Sequence, residues 1–303
     1  MGPSSWTIRR APALGLALLL ALGLLLTLTG TASADLLTPE SGSGSPNAEE
    51  IDSLYKLVLV VAVVVFVGVE GALLYSLFKF RARRGAVPAQ IRGNTRVEIG
   101  WTAGAAVILV VLSVITFAKL DTIRNPPNTG SGGLQLADGV LLAAGPSKRV
   151  PPDGKALNVC VNGQQYVWRY TYAANCDKAP LDAPFSYEEM VVPIDTTVTL
   201  EIRAQDVVHS WWIPDLGGKF DAVPGYTNHT WFNIANPGTY TGQCAELCGR
   251  NHANMTARVR AIPVAEYEQW LGEQRAAIRA ANQGAQRQRE KIAGGQAQDS
   301  ATP

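Results

Sequence analysis

The sequence predicts a membrane hairpin of two transmembrane helices followed by an all-β domain. Two apolar runs, Leu57–Phe78 and Trp101–Ala118, flank a strongly basic loop. From Leu157 to about Pro263 the chain breaks into short alternating segments separated by Gly, Pro and Asn turns, the pattern of a β-sandwich or barrel. The composition agrees: 303 residues, 47% of them hydrophobic, with a formal net charge of +1. That is enough for one sizeable domain plus membrane segments, and too near neutral to suggest a nucleic-acid partner.

Residues 1–34 read as a secretory signal. Arg9-Arg10 supply its charge, Pro12–Leu28 its apolar core and Ala32-Ser33-Ala34 its cleavage site. A first transmembrane helix is the rival reading, but the run is short and ends in small residues. Residues 35–50 are rich in Ser, Gly and Pro and read as a flexible segment.

The hairpin is assigned to residues 51–120. Leu57–Phe78 is 22 residues long. At about 1.5 Å per residue it spans roughly 33 Å, enough for the hydrocarbon core. Glu70 interrupts it, and a carboxylate there is expected to face a protein neighbour rather than lipid. Lys79, Arg81, Arg83, Arg84, Arg92 and Arg96 make the connecting loop basic, with no acid. This places the loop in the cytoplasm and both helix ends outside. Residues 121–156 read as a linker or insertion with little regular structure.

The β-domain is assigned to residues 157–264. Tyr166, Trp168, Tyr170 and Tyr172 alternate and are expected on one strand face. Met190–Pro193, Thr196–Ile202, Tyr226–Ile234 and Thr256–Ile262 are further strand candidates, and Asn236-Pro237-Gly238 is a turn. In the 265–303 segment, Ala265 to about Ala280 reads as a helix with Tyr267, Trp270 and Leu271 as contacts. Gly284–Pro303 is Gln-, Ala- and Gly-rich and is expected to be disordered. Cys160 and Cys176 are an even pair in an exported domain and read as a disulfide, unpaired thiols being the alternative.

The chemistry concentrates in Gly242–Met255, which holds Cys244, Cys248, His252 and Met255. Two thiols, an imidazole and a thioether form a soft donor set that selects copper, zinc or iron–sulfur over hard cations. The thioether favours copper, because Met is a poor zinc ligand. A further imidazole is needed, and of the three histidines His209 is the best candidate. His229 has no ligand spacing and reads as structural or exposed. A Cys-x-x-x-Cys disulfide and a structural zinc site remain compatible with the thiols alone.

With its ligand pattern Cys244-x-Glu246-x-Cys248-x-x-x-His252-x-x-Met255 and His209 upstream, the chain resembles subunit II of the haem–copper cytochrome c oxidases, across about residues 50–275. The resemblance implies a cupredoxin-like Greek-key barrel with the metal loop between its last two strands. It implies a dinuclear copper A centre, bridged by Cys244 and Cys248. His209 and Met255 would complete one copper, and His252 and the Glu246 carbonyl the other. The Glu246 carboxylate would reach a magnesium shared with subunit I.

Glu98-x-x-Trp101-Thr102 resembles the family's start of the second helix, where Glu98 would stand near a proton-path mouth; an interfacial carboxylate beside Arg96 is the plainer reading. Gln165 and Trp168 match the family's aromatic strand, with Tyr166 in the place of its first Trp, so Tyr166 and Trp168 are candidates for accepting the electron. Asp206 is a candidate for docking cytochrome c, although the neighbouring docking acid is Gln205 here. Residues 151–270 hold 8 Lys/Arg and 13 Asp/Glu, a formal charge of −5, which suits a basic partner.

The implied role is the electron-accepting subunit of a respiratory oxidase in a bacterial cell membrane, its soluble domain on the outer face. It would take electrons from cytochrome c and pass them to haem in subunit I, where oxygen is reduced; no catalytic residue is expected in this chain. Other oxidase subunits are implied as partners. A copper A subunit of a nitric oxide reductase type, or a non-catalytic copper-binding protein, are the alternatives. The topology is testable: a reporter fused within residues 81–92 is expected in the cytoplasm and one fused after Pro263 outside, and the reverse pattern would refute the hairpin's orientation.

Overall fold

The computed structural model describes residues 44–81, 87, 90–134, 151–180 and 182–299. The signal segment and the middle of the 121–156 insertion lie outside the described residues.

Two helices form the hairpin, α1 (Pro46–Lys79) and α2 (Thr95–Arg124). They pack along each other, and their apolar 18-residue windows have mean hydropathies of 2.8 and 2.3. At about 1.5 Å per residue both exceed a hydrocarbon core of roughly 30 Å. Glu70 lies within the apolar stretch of α1 and is exposed in the isolated chain. Helix α2 starts with a reciprocal cap: Asn94 Oδ1 accepts from the Val97 amide at 3.4 Å, and the Asn94 amide donates to Glu98 Oε1 at 3.1 Å. Glu98 therefore has a helix-capping role whatever else it does.

Helix α1 begins inside the segment expected to be flexible. Pro46 has the backbone angle a first turn needs. Asn47 Nδ2 donates to the carbonyls of Trp231 (2.9 Å) and Leu216 (3.2 Å), and Ser45 Oγ accepts from the Asn233 amide (3.0 Å). At the other foot, Trp231 Nε1 donates to the Ile123 carbonyl at 3.1 Å, and Lys119 pairs with Glu50 between the helices. The expected linker is also tied down where described. Thr197 Oγ1 donates to the Pro127 carbonyl at 2.8 Å, the Leu134 amide to Thr196 Oγ1 at 2.8 Å, and the Gly130 amide to the Asp195 carbonyl at 3.0 Å.

Ten strands follow. They are β1 (Leu157–Gln164), β2 (Val167–Tyr172), β3 (Phe185–Tyr187), β4 (Glu189–Pro193), β5 (Thr197–Ala204), β6 (His209–Trp212), β7 (Phe220–Ala222), β8 (Asn228–Asn233), β9 (Gly238–Cys244) and β10 (Thr256–Ile262). They form two five-stranded sheets, β3-β2-β1-β5-β8 and β4-β10-β9-β6-β7. Pairs β1/β5 and β4/β10 are parallel and the others antiparallel. This is the expected Greek-key, cupredoxin-like arrangement, with the metal loop between β9 and β10. The core between the sheets holds Trp168, Tyr170, Tyr172, Trp211 and Phe232, all fully buried. Tyr166 is not on the β2 face with the other aromatics; it occupies the β1–β2 turn with Gln165.

Helix α3 (Val264–Asp299) docks through Tyr267 and Trp270, whose rings lie 6.4 and 5.1 Å from that of Tyr172. It runs far past Ala280, where disorder was expected. The segment beyond has no continuous apolar face, but Ala, Gln, Arg, Glu and Lys are strong intrinsic helix formers. Cys160 in β1 is bonded to Cys176, 16 residues on. A loop of that length constrains the unfolded chain by about 3 kcal/mol. The double variant Cys160→Ser/Cys176→Ser is expected to lose about that much stability in urea unfolding; a midpoint equal to the parent's would show that the bond stabilises nothing.

Candidate metal centre

The donors converge because three strand ends meet at one end of the sandwich. Cys244 closes β9, Met255 precedes β10, and the Cys244 amide donates to the Met255 carbonyl at 2.8 Å, forming the neck of the loop. The Ala245 amide donates to the Ser210 carbonyl at 2.8 Å, which brings the loop against β6 and its first residue, His209. Two glycines permit this approach. A Cβ on Gly242 would lie 1.9 Å from the Trp212 carbonyl oxygen; one on Gly249, at φ +132°, would lie 2.7 Å from the Tyr166 hydroxyl.

Cys244 Sγ lies 3.9 Å from Cys248 Sγ, 3.9 Å from His209 Nδ1 and 3.3 Å from the Glu246 carbonyl oxygen. Cys248 Sγ lies 3.5 Å from His252 Nδ1 and 3.9 Å from Met255 Sδ. The thiols are therefore free and not a disulfide. His209, Cys244, Cys248 and Met255 are buried; His252 is half-buried. Ligands about 2.0–2.3 Å from a shared metal sit roughly 3.3–3.8 Å apart in tetrahedral geometry, so the donor separations fit metal binding. All six donors expected from the sequence are at this one site. Burial first, and the adjacent Cys244 sulfur second, push the Cys248 thiol up to about 11. Metal binding must therefore displace a proton from Cys248.

Asp206 has a place the sequence reading missed. Its Oδ1 lies 2.9 Å from His209 Nε2 and accepts from the Val207 amide at 2.7 Å, while Oδ2 accepts from the Gln165 amide at 2.7 Å. Burial would raise the carboxyl, but the hydrogen bonds from Gln165, His209 and Val207 outweigh it and hold it below the ordinary carboxylate value. A carboxylate only accepts, so His209 Nε2 carries the hydrogen and Nδ1 keeps its lone pair for a metal. Gln165 Nε2 in turn donates to the Cys248 carbonyl at 2.6 Å. The signal for Asp206 was its standing three residues before His209; Gln165 was matched to the aromatic strand, which gave no sign of its contact with Cys248.

The remaining candidates are dispersed. Trp168 is fully buried, its ring 5.9 Å from that of His209, so it backs the ligand and has no surface to meet a donor. Tyr166 is half-buried against the metal loop. Glu246 and its neighbour Leu247 are exposed. Among the described residues, His209, Cys244 and Cys248 are the His, Cys and carboxylate side chains mutually close enough to share one ion; His252 and the Glu246 carboxylate stand outside that group. His229 lies on β8, opposite Glu201 on the adjacent strand β5 of the same sheet and away from the metal loop's sheet.

Fold and site together define a membrane-anchored, cupredoxin-like domain with a soft-donor metal loop. The transmembrane domain of cytochrome c oxidase subunit II matches residues 37–118, and its periplasmic domain matches residues 181–262. The chain is 33% identical over 228 residues to cytochrome c oxidase subunit 2 of Alkalihalophilus pseudofirmus, covering 75% of this chain and 59% of that protein. It is 31% identical over 241 residues to the probable cytochrome c oxidase subunit 2 of Rickettsia bellii, covering 75% and 80%. The crystal structure of the periplasmic domain of subunit II of cytochrome oxidase from Bradyrhizobium japonicum is 32% identical, covering 40% of this chain and 95% of that one with a TM-score of 0.35. This chain belongs to the cytochrome c oxidase subunit II family.

Partners that orient a metal-binding histidine are each worth about 10–100-fold in metal affinity. Asp206→Ala is therefore expected to weaken copper binding by about that factor in a competition titration, with the fold retained. An unchanged affinity would leave Asp206 without an orienting role.

Proposed function

We propose that this chain is the electron-accepting subunit of a respiratory oxidase: it takes electrons singly from cytochrome c and delivers them to haem in subunit I. The observation that carries the reading is the convergence of Cys244, Cys248, His209, His252, Met255 and the Glu246 carbonyl in one cluster, with both thiols, His209 and Met255 buried. When bound there, a dinuclear copper centre supplies one-electron storage shared between two ions.

The chain's own residues do the rest. The thiolates of Cys244 and Cys248 would hold that centre and supply its negative charge, with His209, Met255, His252 and the Glu246 carbonyl as the further donors. Asp206 fixes the tautomer and tilt of His209, and Gln165 fixes the loop at Cys248. Ligands held by strand ends and second partners reorganise little when charge arrives. Exposed Leu247, Val207 and Val208 surround the site and offer an apolar docking surface. The acidic domain steers a basic donor towards it, an effect of roughly 10–1000-fold on encounter rates. Tyr166, on the loop's flank, is the residue through which the electron arrives. Asp206 is already committed to His209 and two amides, so its share in docking is secondary. The exposed Glu246 carboxylate is the candidate to hold magnesium with subunit I, and Glu98, at the start of α2, is the candidate for proton uptake. The basic 79–96 loop puts the β-domain on the outer face of a bacterial membrane.

Metal analysis and electron paramagnetic resonance on the purified chain test the site. Two coppers per chain sharing one unpaired electron are expected; a single tightly bound zinc would sink the proposal. Met255→Leu separates a tuned site from a metal trap, because a neutral, weak thioether adjusts potential more than it holds metal. The variant is expected to retain copper, shift the reduction potential, make the two ions less equivalent and slow cytochrome c oxidation. If potential, spectrum and turnover all stayed at parent values, Met255 would not be a ligand.

A further inference from the structure

On the flank of the sandwich, away from the metal loop, lies a cleft of about 500 Å³. One wall is α3, which contributes Arg275 and Arg279. The other is the loop Ala173–Pro184, which contributes Lys178 and Asp182. Tyr172, Ala173, Ala183 and Pro184 add an apolar floor.

The charges do not balance locally. Arg275 and Arg279 are one turn apart on the same helix face, where like charges repel. Neither has an acidic residue three or four positions away in α3. Among the described residues, neither arginine nor the Lys178 ammonium has an ion-pair partner. The adjacent acid Asp177 is taken by Arg203 at 2.8 Å. Three cations against Asp182 leave the cleft at about +2, in a domain whose 151–270 stretch carries −5 overall.

Both walls are held in advance. The loop is bonded to β1 through Cys160–Cys176, and Asn158 Nδ2 donates to the Ala173 carbonyl at 2.9 Å. The Tyr172 amide donates to the Pro184 carbonyl at 2.9 Å, which closes the loop's base. Helix α3 is fixed by Tyr267, Trp270 and Leu271. Pre-organised walls lower the cost of binding.

We propose that this cleft is a binding site for a small phosphate-bearing molecule, its phosphate held between Arg275, Arg279 and Lys178. Two guanidinium forks and an ammonium match the oxygens and double charge of a phosphate group. The volume falls in the range of small-molecule sites, and the apolar floor suits an organic remainder. A free phosphate compound fits the position better than a lipid headgroup. The cleft lies beside β2 and β3, whereas the hairpin joins the same sheet at β8, its opposite edge. Four strand spacings of about 4.8 Å separate those edges by roughly 19 Å.

The test uses the full-length chain in detergent, in phosphate-free buffer with ionic strength held constant by chloride. Pyrophosphate, followed by isothermal titration calorimetry, is expected to bind saturably at one site per chain. Arg275→Gln/Arg279→Gln is expected to weaken binding at least tenfold. Lys178→Gln, on the other wall and independent of α3 folding, is expected to weaken it several-fold. Arg275→Lys/Arg279→Lys, which keeps charge but loses the forks, should fall between the parent and the double Gln variant. A non-saturating response, or equal affinity in parent and Lys178→Gln, would overturn the proposal. Binding to vesicles containing phosphatidic acid, with no response to pyrophosphate, would equally overturn the free ligand.

Discussion

Two thiols, an imidazole and a thioether lie buried against one another at one end of the sandwich, and the rest of the domain is arranged around holding them there. Polar groups withdrawn from water must find partners in the protein. The partners come from the loop itself and from two segments far from it in the chain. The Met255 carbonyl closes the neck on the Cys244 amide, and the Glu246 carbonyl accepts from the Cys244 thiol. Gln165 holds the Cys248 carbonyl, and Asp206 holds His209. The parallel pairing of β1 with β5 sets the last two together. Its register places Gly163 opposite Ala204, so the turn after β1 meets the loop after β5. Gln165 and Asp206 touch there and make one network behind both sides of the ligand cluster. A one-residue slip of that register would break the network and put the buried Val159, Val161, Leu200 and Ile202 out of phase with the core.

The same economy governs the join to the membrane anchor. A two-helix hairpin alone could swing relative to a soluble domain. Asn47 and Ser45 at the foot of α1, and the Ile123 carbonyl near the end of α2, are all bonded to β8 or its neighbours. Residues 127–134 then run along the start of β5 through Thr196 and Thr197. Both feet of the hairpin are fastened to the edge of one sheet, which fixes the domain over the anchor at several points instead of one.

Much of this was legible in the linear chain because the signals were local. The hairpin needs only length, apolarity and a basic loop. The donor loop compresses four candidate donor side chains into twelve residues, Cys244 to Met255, and no packing accident is needed to bring them together. Strand β10 announces itself by alternation and β4 by a short apolar run, each beside turn residues. Where the reading failed, the deciding contact was long-range or the local rule was weak. The 45–50 segment resembles a loop in composition, yet the Ser45 and Asn47 side chains are bound by residues about 170–190 positions away. The end of α3 has little to bury, and its helix rests on backbone propensity, which composition alone had assigned to disorder. Tyr166 matched the strand's alternation but belongs to the turn, because β1 and β2 pair up to Gln164 and Val167 and leave two residues between.

The sequence by itself determined the membrane hairpin, the all-β character of the domain and the identity of the soft donors, since each follows from residue type and spacing within a short window. Only the tertiary structure decided how those donors are oriented. Asp206 became the partner of His209, Trp168 the buried backing of that ring, and Gln165 the clamp on Cys248. The physical reason is that hydrogen-bond direction and burial depend on which strands pair and in what register, and those pairings join residues separated by 40 to 80 positions that no local pattern connects.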